Sequence, residues 1–420
     1  MAMFSSLEHF RFTLNRLRER LWVRPLIFCL LSIVASLVAK LADGTGLAAL
    51  VPHVEQSSIE TLLTTMAGSM MGVATFSVAS MVSAYASASS TATPRSFNLV
   101  IADDVSQHAL STFVGAFIFS VVSLTAVMND FFGIAGLFLL IFLTILVFCF
   151  VILTFVRWVD RIARLGRLGS IIDKCEKATT RAMERRKCLP NLNGVPVNTS
   201  PEGHAIYATK VGYVQYIDVA CLQSWAEANE VTLMVNALPG TFAAPGRPLA
   251  HLKTKTSKEL DCADVIKAFQ IGSTRLFDDD PRFGLVVLSE IASRALSPAV
   301  NDSGTAIHVI GAMVRLLTLW QQDDDGCEKE EPKFDKVEIP EINMDDMFDD
   351  AFTAIARDGA GLVEVAVRLQ KAFNSLATSN LPEMRLAAKR HAAISLKRSR
   401  SAMPIEEDYT AVYEAAKLLD

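Results

Sequence analysis

The sequence predicts a membrane α-helical protein: four transmembrane helices, then a cytoplasmic α+β region with a small β-barrel-like module and further helices. Three observations lead there. The 420 residues are 51% hydrophobic, with mean hydropathy +0.32, and the apolar excess lies before Asp160. Four runs in that stretch approach the roughly 20 apolar residues that span a bilayer core about 30 Å thick. Arginine clusters flank the runs on one side only.

The runs are Trp22 to Leu41, Ile59 to Ala86, Ala109 to Met128 and Phe131 to Val156. Leu137 to Val156 carries no charge and is rich in Leu, Ile and Phe, which makes the fourth the clearest. Arg11, Arg16, Arg18, Arg20 and Arg24 precede the first, Arg95 falls between the second and third, and Arg157, Arg161, Arg164 and Arg167 follow the fourth. Segment 43–58 and the link Asn129-Asp130 hold no Lys or Arg. Both termini are therefore expected in the cytoplasm, in a multi-pass protein of the bacterial inner membrane. Lys40, near the outer end of the first span, fits as a snorkelling residue. Residues 1–21 space Phe4, Leu7, Phe10, Leu14, Leu17 and Leu21 three or four apart, which suits an amphipathic helix on the inner leaflet or an extension of the first span. They lack the short apolar run and cleavage site of a signal peptide.

The second span is unlike the rest. Thr65, Gly68, Gly72, Thr75, Ala79, Ser83, Ala86 and Ser90 fall along one helical stripe, with Met66, Met70, Val73 and Phe76 off it. Small residues let another helix approach closely, and hydroxyls can line a wet path, so the stripe reads either as tight helix packing or as a pore lining. Pro94, Arg95, Asp103 and Asp104 follow in the loop, at the cytoplasmic mouth if a pore exists. No span carries a charge near its centre, which argues against a pump or carrier built on buried carboxylates.

Beyond an amphipathic connector and loop, 159–203, short alternating segments at Ala205–Lys210 and Gly212–Ile217 precede a helix over Asp218–Ala228 and a strand over Val231–Asn236. With the Pro239-Gly240 and Pro245-Gly246-Arg247-Pro248 turns they predict a small β-rich module, 204–258, resembling a barrel-sandwich hairpin without its carrier lysine. Residues 259–420 read as helical. Asp280 caps a helix begun by Pro281, and Asn301-Asp302 offers a second cap for Ser303 to Trp320. Arg294, Ser297, Pro298, Asn301 and Asp302 form the polar corner between them, with Arg294 and Asp302 placed to pair as a structural clamp. An acidic linker occupies 321–345, and helices follow at Asp345–Phe373, Pro382–Arg400 and Pro404–Leu419.

Several chemistries find no footing. The net charge of −5 gives no case for nucleic acid. The seven cysteines form no CxxC pair, so neither a disulfide nor a zinc site is expected. No phosphate-binding Gly-Lys-Ser/Thr loop, His-Glu-x-x-His or Gly-x-Ser-x-Gly motif occurs, and no enzymatic activity, metal or cofactor is expected.

Taken together, Gly68 to Ser90 leading to Pro94-Arg95, Gly212-Tyr213 with Pro239-Gly240 and Gly246-x-Pro248-Leu249, and above all Arg294-Ala295-Leu296-Ser297-Pro298-Ala299-Val300-Asn301-Asp302 with Thr305-Ala306 resemble a bacterial family of predicted membrane proteins, domain of unknown function twenty-two fifty-four. Relatives tend to carry proline where this chain has Ser303. The resemblance implies a membrane protein and brings no assigned activity. Two functions fit the residues. One is a homo-oligomeric channel or pore whose second span lines the path and whose cytoplasmic half forms a vestibule or gate. The other is a membrane-anchored sensor or scaffold whose cytoplasmic half binds a protein or small ligand.

Overall fold

The computed structural model describes residues 23–44, 51–91, 93–96, 99, 104–162, 167–197, 203–253, 260–322 and 331–417. The expected N-terminal amphipathic segment 1–21, Asp103, and the centre of the acidic linker lie outside them. Contacts divide the chain after Ile171 into two compact units.

The first unit is a helical bundle: α1 (Val23–Leu41), α2 (Gln56–Thr91), α3 (Asp104–Met128) and α4 (Ile134–Ile162). Each contains a stretch long and apolar enough to cross a membrane. α3 is the hub, packing against α1, α2 and α4. It is suited to that place because its own surface is small and polar where α1 meets it. A Cβ on Gly115 would sit 3.1 Å from Phe28 Cβ, so the two backbones approach closely. Ser32 Oγ donates to the Gly115 carbonyl at 2.8 Å, and Ser36 and Ser123 share a buried hydrogen bond of 2.8 Å. Two apolar clusters complete the bundle. One gathers Ile59, Leu63, Phe119 and Leu140; the other joins Met66, Met70, Ala74, Phe113 and Trp158.

At one end of the bundle a carboxylate ties α1 to α4. Asp43, in the 3-10 turn Ala42–Gly44, accepts from the amides of Gly133 and Gly136 at 2.7 Å each. Those are orphan donors at the start of α4, which a helix must satisfy from outside itself. A side chain at Gly136 would press to 2.8 Å from Asp43, so only glycine admits this cap. Lys40, expected to snorkel, also pairs with Asp43 at 3.3 Å and lies 5.1 Å from the Phe131 ring centroid.

The second unit is α+β. Its elements are α5 (Leu168–Cys188), β1 (Gly194–Pro196), β2 (His204–Tyr207), β3 (Gly212–Ile217), α6 (Val219–Ala228), β4 (Thr232–Val235), β5 (Phe242–Ala243), β6 (Pro248–Lys253), α7 (Ala263–Ala268), β7 (Phe269–Gly272), α8 (Pro281–Ala295), α9 (Ser303–Gln321), β8 (Phe334–Ile339), α10 (Met344–Asp358), α11 (Val363–Ala377), α12 (Pro382–Ala402) and α13 (Glu406–Ala416).

The strands make two open sheets, ordered β1-β8-β4-β6-β2 and β5-β3-β7, and no closed barrel among the described residues. This corrects the barrel-like module. The expected hairpins are divided between sheets, and each sheet is completed by strands outside 204–258. β8, within the expected linker, pairs parallel with both β1 and β4. Its Val337 and Ile339 are fully buried in the core formed with Leu222, Leu233 and Leu249. The expected helix over Asp345–Phe373 is two helices, broken at Gly359–Leu362. Cys188 is disulfide-bonded, contrary to the expectation from cysteine spacing.

α9 also has the length and apolar content of a membrane span. Its Ala306, Val309, Ile310, Met313, Leu316 and Leu317 are nevertheless buried within this unit, beside α8 and α11, and Arg315 on its flank holds Glu176 through two bonds of 2.6 and 2.7 Å. A helix committed to a protein core and an ion pair has no apolar face left for lipid. α10, α11 and α12 enclose Phe348, Phe352, Phe373 and the buried His391.

Replacing Asp43 with alanine is expected to lower the unfolding free energy of the detergent-solubilised protein by about 1–2 kcal/mol, the value of an N-cap. Unfolding of Asp43→Ala indistinguishable from the parent would contradict the capping assignment.

Candidate functional site

α2 has two unlike faces. Ile59, Leu63, Met66, Met70, Ala74, Ser77 and Met81 are buried. At 100° per residue these project from one side, and the predicted stripe projects from the side diametrically opposite. Thr65, Gly68, Gly72, Thr75, Ala79, Ser83 and Ala86 are all exposed. A Cβ built on Gly68 or Gly72 would meet no heavy atom within 4 Å. The stripe therefore does not serve helix packing within the described chain. Thr61, Thr65, Ser69 and Thr75 donate to the carbonyls four residues earlier at 2.7–2.9 Å, so their hydroxyls demand neither water nor a partner.

The exposed faces of the neighbouring helices are of another kind. α1 presents Leu26, Leu30, Leu31 and Leu37, and α4 presents Phe142, Ile145, Leu146, Phe150 and Leu153, each about half exposed. Those are surfaces that acyl chains solvate well. On α2 the bulky exposed Met71, Val78 and Phe76 stand to either side of the small stripe.

The second unit contains a polar cavity of about 380 Å³ beside the Pro239-Gly240 turn. Four arginines (Arg186, Arg247, Arg275, Arg282) and four acids (Asp279, Asp280, Glu341, Asp346) line it. Asp280 caps α8 through the Phe283 amide at 3.1 Å and takes both Arg275 Nε and Nη2, at 2.7 and 2.9 Å. Burial pushes the Asp280 carboxyl up, with Arg275 pulling against it. Gly240 has φ +93° and lies so near Asp280 that a Cβ would overlap the carboxylate, which requires glycine there. Arg282 holds Asp350 at 2.7 Å and Asp346 at 2.5 Å.

Arg186 is the exception. It is 4% exposed and donates from Nη2 to the Pro340 carbonyl at 3.2 Å, while Nε and Nη1 find no acceptor among the described residues. Burial lowers its pKa to about 10, against the opposing pull of Asp279, Glu341 and Asp280, so it stays charged at neutral pH. A buried charged donor left unmet costs about 1–3 kcal/mol or more. Sequence reasoning missed this site. Gly240 and Asp280 were legible separately as turn and cap, but nothing in their spacing brings them beside Arg186.

A family model for predicted membrane proteins, DUF2254, matches residues 18–375. The chain belongs to this family. Among curated proteins, the chain is similar to the uncharacterized proteins MT1328 and Rv1290c of Mycobacterium tuberculosis and Mb1321c of Mycobacterium bovis. Each is 29% identical over 153 residues, which cover 34% of this chain. The chain spans only 29% of the length of those relatives. No solved structure matches.

The run that carries the DUF2254 resemblance forms a tight corner between α8 and α9. Asn301 takes a left-handed backbone, φ +49°, and the Asp302 amide donates to the Ala295 carbonyl at 2.8 Å. Ser297 closes the first half, its Oγ donating to the Arg294 carbonyl at 2.7 Å. Pro298 is exposed on the turn. The Asp302 carboxylate caps α9, accepting from Thr305 N at 3.0 Å and Thr305 Oγ1 at 2.6 Å. These bonds hold its pKa below the usual range. Ser303 is the first residue of α9, a position whose amide needs no intrahelical acceptor, so serine and proline serve equally there. In the first unit, Pro94 and Arg95 are exposed in a 3-10 turn after α2. Asp104 opens α3.

Asp302→Ala is expected to cost about 1 kcal/mol of stability as a lost cap. Ser303→Pro should leave thermal unfolding unchanged or raise its midpoint. A marked loss on Ser303→Pro would contradict the corner geometry.

Proposed function

We propose that the protein is a homo-oligomeric channel of the bacterial inner membrane. Copies meet through the small face of α2 and surround a path bordered by Thr65, Gly68, Gly72, Thr75, Ala79, Ser83 and Ala86. One observation carries this reading: the stripe lies uncovered, opposite the face that packs on the bundle, while α1 and α4 offer lipid the bulky apolar surface it favours. In a bilayer the hydrophobic effect does not drive helices together, and close packing of small residues does. A second copy is the simplest cover for such a face. At the axis of a ring the same small side chains leave room for a solute, and the bundle holds no central charge that would bind one tightly.

In this reading the positive-inside rule, applied to the arginines after α2 and α4, favours a cytoplasmic α+β unit that acts as vestibule or gate, with Pro94, Arg95, Asp103 and Asp104 as its candidate cytoplasmic mouth. No enzymatic chemistry is proposed. The second reading, a membrane-anchored sensor whose α+β unit binds a small ligand, is favoured by the polar cavity around Arg186.

Gly72→Leu tests the channel directly, because a Cβ built at Gly72 meets no heavy atom within 4 Å and the position is exposed in the protomer. Purified protein in liposomes is expected to pass ions or small solutes, and Gly72→Leu to change that flux at least severalfold. Liposomes impermeable under every applied voltage and pH, or flux indifferent to Gly72→Leu, would contradict the proposal.

A further inference from the structure

In a protein interior every guanidinium ordinarily meets carboxylates or carbonyls, because a buried donor without an acceptor has lost its hydration for nothing. The cavity beside Gly240 keeps that rule for two of its arginines. Arg275 is held by Asp280, and Arg282 by Asp346 and Asp350, so neither can turn to a ligand without giving up a bond. Arg186 is different. Nε and Nη1, which carry more than half of the guanidinium N–H donors, are buried and lack acceptors among the described residues. Its acidic neighbours Asp279 and Glu341 act on it through space without hydrogen bonding to it. Arg247, which also lines the cavity, is exposed and has no side-chain partner among the described residues.

We propose that this cavity binds a small ligand bearing one oxyanion head, a phosphate or carboxylate, whose oxygens accept from Arg186 Nε and Nη1 and from Arg247. The volume, about 380 Å³, falls in the range of small-metabolite pockets and exceeds what inorganic phosphate fills. The lining balances four arginines against four acids, so a polyanion gains no net attraction. A single anionic head seated on Arg186 does, provided the remainder of the ligand donates a hydrogen bond toward Glu341, as a hydroxyl or amine group would. The site stands on the α+β unit alone and is independent of the channel proposal.

The test measures thermal unfolding of the full-length protein in detergent with inorganic phosphate, glycerol 3-phosphate or acetate, each against chloride at matched ionic strength. A parallel arm uses nanodiscs with and without an anionic phospholipid. The expected result is a concentration-dependent rise of a few degrees with glycerol 3-phosphate that exceeds the rise with phosphate. Arg186→Met should abolish it, and Arg247→Ala should weaken apparent affinity about tenfold, the loss of one charge-assisted contact. A rise confined to the anionic nanodiscs and lost in both variants assigns the head to a lipid and supports the site equally. Arg247 is exposed and makes no side-chain hydrogen bond or ion pair among the described residues, so Arg247→Ala decides the matter even if Arg186→Met does not fold. Midpoints that respond to none of these anions beyond chloride, or that respond alike in parent and Arg247→Ala, would overturn the proposal.

Discussion

The packing of α2 on α3 constrains the whole membrane unit. α3 takes the bulky side of α2, from Ile59 through Met66 and Met70 to Met81, and its small side is turned away as a geometric consequence. The two glycine arrangements in the bundle make the point. Gly115 is in close contact with Phe28 of α1 and does its work inside the protomer, whereas Gly68 and Gly72 face open space. Small residues cost packing enthalpy when they face lipid, since acyl chains fill such grooves less well than an interlocking helix does. That difference is the physical ground on which the proposed contact between copies rests.

Apolar length alone does not separate a membrane helix from a core helix, and this chain contains both. α9 satisfies the same criteria of length and composition as α1 to α4. What distinguishes it is its surroundings: Leu316 and Leu317 are enclosed, and Arg315 is held by Glu176. The polar network continues through the α+β unit. Asp280 serves at once as helix cap, partner of Arg275 and close neighbour of Gly240. A single carboxylate thereby fixes a helix start, an arginine and a turn, and the cavity beside them inherits a rigid wall.

Much of this was legible in the residues. The spans announced themselves because long apolar runs have few alternatives, and Asp280 and Asp302 cap helices where their sequence positions suggested. The α2 stripe was legible as a pattern, but its exposure was not, because periodicity names a face without naming what covers it. β8 escaped because a parallel strand draws its partners from far along the chain, and an acidic stretch beside it masked Val337 and Ile339. The break at Gly359 was hidden by helix formers on either side. The cavity was illegible for a different reason. Arg186, Gly240, Arg247 and Glu341 come from separate elements, and only the fold assembles them.

In the proposed oligomer the small face of α2 meets another copy of itself. Cross-linking of single cysteines in native membranes, with all seven native cysteines replaced by serine, is the sharpest test of that contact. Cysteine at Gly72 or Thr75 is predicted to give covalent dimers rapidly on mild oxidation, while cysteine at Leu30, on the lipid-like face of α1, gives few. Dimers absent at Gly72 and Thr75, or formed equally well at Leu30, would contradict the account.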